Sequence, residues 1–171
     1  MNIRRAVLSD LSDLVLLHRE VQMMHAHALP DRFREDVTDE ALGEVIRGTI
    51  ESPSSCLLVA ENGTVAGFLS AEFRDRPEIW CAEARRSIYL NSIVVAFEFR
   101  RRGVACALLE ALRTVAEQEK VAGMELDVWR FNTEAREAFQ KLEFVSLWER
   151  MVFAPAAKDP SDSFPANSNP E

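Results

Sequence analysis

Apolar and polar positions along this chain change period several times, and each change marks an element. Asn2 to Val7 alternates and reads as a short strand, after which Ser9 and Asp10 open a helix whose apolar side carries Leu11, Leu14, Val15, Leu17 and His18. His25 to Asp36, with Pro30 and several charges, reads as a loop. Thr38 caps a second helix through about Ile50, with Ala41 as the cap partner and Asp39 and Glu40 in the first turn, and Ser52-Pro53-Ser54 breaks it. Cys56 to Ala60 and Val65 to Phe73 read as antiparallel strands joined across Asn62-Gly63, a strong short hairpin signal. Arg74 to Arg86 is polar and irregular, and Ser87 to Val95 is a central strand rich in β-formers. Leu108, Leu109, Leu112, Val115 and Ala116 then recur at helical spacing from Val104 on, and Gly123 ends that segment before a strand from Met124 to Trp129. Thr133 to Leu142 is a further helix and Phe144 to Phe153 a last strand. The order is that of a mixed α/β chain with a hairpin in front and a strand, helix, strand crossover behind.

A length of 171 residues suits one domain, and a hydrophobic fraction of 47% is enough to build its core. Residues 1–154 are expected to form that domain. Pro155 to Glu171, rich in Pro, Ser, Asn and Ala, reads as a disordered tail. No apolar run is long enough to span a bilayer and the first residues alternate like a strand, so the expectation is a cytoplasmic protein with no membrane partner. Cys56, Cys81 and Cys106 lack the spacing of a disulfide or zinc framework and are expected as buried thiols. A net charge of −8 disfavours nucleic acid, whose binders rely on basic surface.

Against that acidic background, Arg100, Arg101 and Arg102 crowd together immediately before Gly103 and Ala105. The segment lies between a central strand and a helix start, where backbone N–H groups lack helical partners and the helix dipole is positive. This is the composition of a phosphate or pyrophosphate cradle, with a solvated arginine turn as the plain alternative. Neither GxxxxGK[ST] nor GxGxxG is present, which weakens nucleotide triphosphates and dinucleotides as ligands.

The run from Ile93 to Leu109, with Arg100-Arg101-Arg102-Gly103-Val104-Ala105 at its centre, resembles the acetyl-CoA motif (Gln/Arg)-x-x-Gly-x-(Gly/Ala) of the GNAT N-acetyltransferase superfamily. Leu126-Asp127-Val128, Asn132, Ala135, Phe139 and Leu142-x-Phe144 resemble the family's downstream series, so the likeness spans about Asn2 to Phe153. It implies a mostly antiparallel sheet, flanked by helices, with a V-shaped splay between two central strands. It also implies acetyl-CoA as co-substrate, a small-molecule amine or a peptide N-terminus as acceptor, and often a homodimer. Ile93, Val94 and Val95 would bond the pantetheine arm through their backbone. Arg101, Arg102, Gly103, Val104, Ala105 and Cys106, following Arg100, would wrap the pyrophosphate. Asn132 would reach the cofactor side of the gap, although its residue type suits a helix N-cap equally.

Two positions depart from the family. Phe139 stands where many members carry a tyrosine acid, and Glu143 replaces the glycine of Leu-Gly-Phe. A thiolate leaves fairly well unprotonated, so the first departure slows acyl transfer without forbidding it. Tyr89, the only tyrosine, is the first candidate for proton handling, because simple alternation puts it on one face with Asn91, Ile93 and Val95; the alternative is a half-buried strand aromatic. Glu72 is a second candidate, as a base acting through water, or else a solvent-facing residue. His18, His25 and His27 lack a third ligand at metal spacing, so no metal is expected. The resemblance implies that Met24 to Asp36, with Phe33, Arg32 and Arg34, borders the acceptor site; Trp80, Trp129 and Arg130 are candidates for the same mouth, with core packing as the alternative for the aromatics. A direct-transfer N-acetyltransferase is thus the leading expectation, against a catalytically silent CoA-binding module and a phosphate-binding protein without acyl chemistry.

Overall fold

The computed structural model describes residues 1–152. Its elements are β1 (Asn2–Arg5), α1 (Leu11–Ala28), α2 (Asp39–Glu51), β2 (Ser55–Glu61), β3 (Val65–Arg76), β4 (Arg85–Val95), α3 (Val104–Gln118), β5 (Met124–Leu126) and α4 (Thr133–Lys141), with single 3-10 turns at Leu8–Asp10 and Phe97–Phe99. The five strands lie in chain order across one sheet, antiparallel throughout except for the parallel β4–β5 pair. The mixed α/β order is what the pattern implied, and the mostly antiparallel sheet is what the family resemblance implied. Among the described residues no helix is long and apolar enough to cross a membrane.

Each face of the sheet carries its own core. Leu14, Leu17, Leu42 and Ile46 of α1 and α2 close over Val59, Phe68 and Val94 on one face, while Leu108, Leu109 and Leu112 of α3 cover Leu58, Leu69, Ile88 and Leu90 on the other. Leu108 and Leu112 are fully buried, each worth roughly 1.5–3 kcal/mol of apolar burial. Local chemistry sets the ends of several elements. Thr38 accepts from the Ala41 N–H at 3.2 Å to start α2, and Gly63 takes φ of 78° in the β2–β3 turn. Asp10, held by Arg4 at 2.7 and 2.9 Å, accepts the Val7 N–H at 2.8 Å and fixes the entry to α1. The α3 helix ends before Gly123, with Lys120 in the left-handed region and Val121 N–H donating to Ala116 C=O.

Several boundaries differ from the sequence expectation. β1 stops at Arg5, short of Val7, and α1 runs on to Ala28, so His25 lies inside the helix and not in a loop. β3 and β4 pair as far as Arg76 and Arg85, which confines the irregular segment to residues 77–84; cross-strand hydrogen bonds carry the polar arms that composition alone reads as loop. β5 ends at Leu126 instead of Trp129. Among the described residues, 144–152 form no strand: Val145, Leu147 and Met151 stand exposed, because three-residue β5 gives that segment no ladder here. Phe153 and the expected tail fall outside the described residues. Cys56 is a buried thiol, but Cys81 and Cys106 are exposed, one at a hairpin tip and the other on the outer side of the first turn of α3.

Candidate functional site

The sheet opens beside β4. Its ladder with β5 covers only Ile88 to Leu90 against Met124 to Leu126, so from Asn91 to Val95 the β4 edge on that side has no neighbouring strand among the described residues. At the same point β4 carries a bulge. Ser70 pairs with Ser92 and Ala71 with Leu90, which leaves Asn91 as the extra residue. On the other side of β4, Gly67 lies so close that a Cβ there would meet the Val94 carbonyl oxygen at 2.5 Å, and this close packing fixes Ile93, Val94 and Val95 against β3 while their outer edge stays free.

The chain then turns through the Phe97–Phe99 helical turn into the arginine loop. Arg101 takes φ of 59° and Gly103 φ of 79°, left-handed conformations that reverse the backbone just before Val104 begins α3. Among the described residues, no protein acceptor takes the backbone N–H groups of Arg101, Arg102, Gly103, Val104, Ala105 or Cys106, and the first bond of α3 runs from Ala107 to Gly103. Open space surrounds Gly103. Six free donors at the positive end of a 15-residue helix fit a pyrophosphate group. The three arginines do not act alike. Arg100 turns back, its Nε donating to Val95 C=O at 3.1 Å and its guanidinium 3.8 Å from Glu20, whereas Arg101 is exposed and Arg102 lies over Phe99. Arg100 therefore braces the loop against β4, and among the described residues the loop's positive charge that no carboxylate pairs belongs to Arg101 and Arg102.

The bulge changes the reading of Tyr89. One extra residue reverses the alternation, so Ile93 and Val95 pack on the α3 side with Ile88 and Leu90, while Tyr89 points to the α1 face along with its partner Glu72. Tyr89 is thus not on the face of Ile93 and Val95 as uninterrupted alternation required. The Arg74 guanidinium lies 3.3 Å over its ring, and Arg74 Nε holds Glu72 at 2.6 Å. Burial, followed by Asp127 beside the hydroxyl, pushes the Tyr89 phenol above its ordinary value, so at neutral pH it is a proton donor and not a base. Asn132 caps α4, its side chain accepting from Ala135 N–H at 3.1 Å. Phe139 packs edge-on against Phe144 in the α3-side core, and Glu143 keeps the left-handed turn of the missing glycine with φ of 67°.

An aromatic cluster borders the open end of the gap. His25 stacks on Phe33 at 4.9 Å and meets Phe131 edge-on at 6.0 Å, Phe33 meets Trp129 at 5.6 Å, and Arg32 lies over Trp129. Beside it, a cavity of about 510 Å³ opens between the end of α1 and the start of α4, lined by Met24, His27, Phe131, Asn132 and Glu134 among others. Trp80 is 97% exposed at the tip of the β3–β4 hairpin and takes no part in this cluster, and Arg34 is paired with Asp36 at the surface. Sequence reasoning passed over Phe131, and it placed His18 on the helix stripe without giving it a role in the site. The signal for His18 was present: Leu11, Leu14, His18, Val21 and His25 recur at steps of three and four, the spacing of a single helix stripe. Among the described residues no group of three or more His, Cys, Asp or Glu is placed to hold a metal ion.

The sequence model of the acetyltransferase (GNAT) family matches residues 21–144, which takes in the gap, the loop and the aromatic cluster. The chain belongs to the GNAT acetyltransferase family. Solved structures share the GNAT fold at low identity. A mutant form of the BH1408 protein from Bacillus halodurans is 20% identical with a TM-score of 0.85, over 91% of this chain and 100% of that one. The aminoglycoside 6'-N-acetyltransferase AAC(6')-IG from Acinetobacter haemolyticus is 18% identical with a TM-score of 0.71, covering 92% and 100%. The aminoglycoside N-acetyltransferase AAC(6')-Iy, in complex with CoA, is 22% identical with a TM-score of 0.71, covering 91% and 93%. No curated protein sequence matches the chain.

Proposed function

We propose that this GNAT protein transfers the acetyl group of acetyl-CoA to a primary amine, a small molecule or a peptide N-terminus, by direct attack. The observation that carries the reading is the pairing of an unladdered β4 edge at Asn91 to Val95 with six unpartnered N–H groups at Arg101 to Cys106. When bound, acetyl-CoA supplies an activated thioester. The chain's part is to hold it: the free edge of Ile93, Val94 and Val95 takes the amide-bearing arm as a missing strand would, and the loop N–H groups with Arg101 and Arg102 take the pyrophosphate. Tyr89, kept protonated, is the donor within the site, and Glu72, already engaged by Arg74, is the weaker candidate. The same reading takes residues 1–154 as one acetyltransferase domain with 155–171 as a tail, acting in the cytoplasm, as a homodimer whose mass light scattering would register. The solved AAC(6') enzymes favour a small cationic acceptor.

Two measurements test it. Saturating acetyl-CoA raises the melting temperature, a ligand at a hundredfold excess over Kd contributing about 2.7 kcal/mol, and Gly103→Glu, which sets a bulky anion in the loop, removes that shift. A panel of amines then releases CoA thiol. Binding without release for every amine favours the silent CoA-binding module, which the absent hydroxyl at Phe139 supports. A melting temperature that acetyl-CoA leaves unmoved overturns the cofactor assignment.

A further inference from the structure

Two of the three histidines occupy positions that helix geometry reserves for core residues. His18 and His25 continue the stripe of Leu11, Leu14 and Val21 on the sheet-facing side of α1, two turns apart, and both are half-buried. His18 stacks on Phe68 at 6.0 Å, and Phe68 is the register partner of Val94 on the open strand. His25 stands further along the helix, within the aromatic cluster of Phe33 and Phe131. Exposed His27 spends its Nδ1 on Met23 C=O at 2.8 Å, whereas the ring nitrogens of His18 and His25 make no hydrogen bond among the described residues. Two imidazoles on an apolar stripe, their nitrogens without a protein partner yet not sealed from solvent, are free to exchange a proton.

We propose that His18 and His25 form the proton relay of the acceptor amine, with His18 receiving the proton at the attacking nitrogen and His25, two helical turns away, taking it on through intervening water and passing it to solvent at the aromatic mouth. The proposal deepens the acetyltransferase reading and rests on it. The ammonium gives one proton to a His18 ring nitrogen, and the lone pair so freed forms the C–N bond. The C–S bond breaks with its electron pair going to sulfur, the Tyr89 hydroxyl protonates that thiolate, and the proton the acylated nitrogen then sheds restores Tyr89. Burial holds both imidazoles below their ordinary value, and the charge of His25 lowers His18 further, so the pair is neutral and able to accept at pH 7. The charged groups on the surrounding elements are otherwise engaged: Asp39 of α2 with Arg19, Glu72 of β3 with Arg74, Tyr89 of β4 beside Asp127, Arg100 with Glu20, and Arg32 over Trp129.

The test compares pH profiles of kcat/KM for the parent, H18Q and H25Q with one amine, with acetyl-CoA affinity by titration calorimetry as the check on folding. The parent is expected to show a rising limb below pH 6.5 from the relay, in addition to the limb from the amine itself. H18Q loses the relay limb and roughly 10²-fold of kcat, with acetyl-CoA affinity kept. H25Q keeps the limb but moves it to higher pH, because His18 no longer faces a like charge; a purely structural role moves neither. A parent that turns over while both variants retain its profile overturns the relay and leaves the acetyltransferase reading standing. A parent that binds acetyl-CoA but releases thiol with none of the amines overturns both.

Discussion

Tyr89 and Asp10 are both partly enclosed acids, and their surroundings push them in opposite directions. Tyr89, desolvated and beside Asp127, holds its proton beyond the usual phenol range, so it can give a proton to a developing thiolate but cannot take one from an amine. Tyr89→Phe is expected to lower kcat by roughly 10²-fold with acetyl-CoA affinity unchanged, read by thiol release and calorimetry; turnover within about twofold of the parent would reduce Tyr89 to a packing residue under Arg74. Asp10 is held by two Arg4 hydrogen bonds and by Val7 N–H, which outweigh its burial and keep the carboxyl below its ordinary range. A depressed folded pKa means that its stabilisation is complete above the unfolded value of about 4 and fades as pH falls through the folded one. Asp10→Asn should therefore cost roughly 2 kcal/mol at pH 7, with the gap between variant and parent closing in denaturation curves taken below pH 4.

Among the elements, the join between β3 and β4 carries the greatest constraint. A methyl at residue 67 would sit 2.5 Å from Val94 C=O and 3.2 Å from Val95 Cα, backbone atoms that cannot swing aside. Gly67→Ala should cost roughly 1–3 kcal/mol by chemical denaturation and weaken acetyl-CoA binding as well, because the shift is transmitted to the free edge of the same residues. Loss of stability with affinity intact would show that the edge does not hold the ligand. Features that depend on neighbours in sequence were legible from the chain alone: the Thr38 cap, the Asn62-Gly63 turn, and the strand-to-helix junction at Gly103 all follow from residue types within a few positions. Features that depend on pairing were not. The Asn91 bulge leaves no trace in alternation, since an extra residue is defined only against the partner strand, and it reversed the side on which Tyr89 was expected. His25 was read into a loop because Pro30 and the charges around it mask a helix whose apolar stripe is completed by histidine. Val145 and Leu147 have the alternation of a strand, yet a strand exists only where a neighbour offers a ladder.

On the scale of the whole molecule the two ends of the crossover are unequally secured. α3 is sunk between fully buried leucines, while β5 is joined to β4 by three register pairs, α4 has no fully buried residue, and the charged ties at this end are Glu125 to Arg85 at 2.8 Å and Arg76 at 3.7 Å. Such a unit opens at lower free energy than the sheet. Amide hydrogen exchange is expected to show β5 and α4 exchanging well ahead of β2 and β3 in the free protein, and uniform protection across all five strands would contradict it. On that expectation the opening between β4 and β5 would divide the protein into a slow-exchanging body and a fast-exchanging flap, and a ligand lying along that seam would touch both. Its occupancy would slow exchange in α4 and turn two unfolding units into one. Acetyl-CoA would then serve as a removable stitch in the fold as well as a substrate, with resistance to proteolysis of the C-terminal part rising and falling with the acetyl-CoA supply.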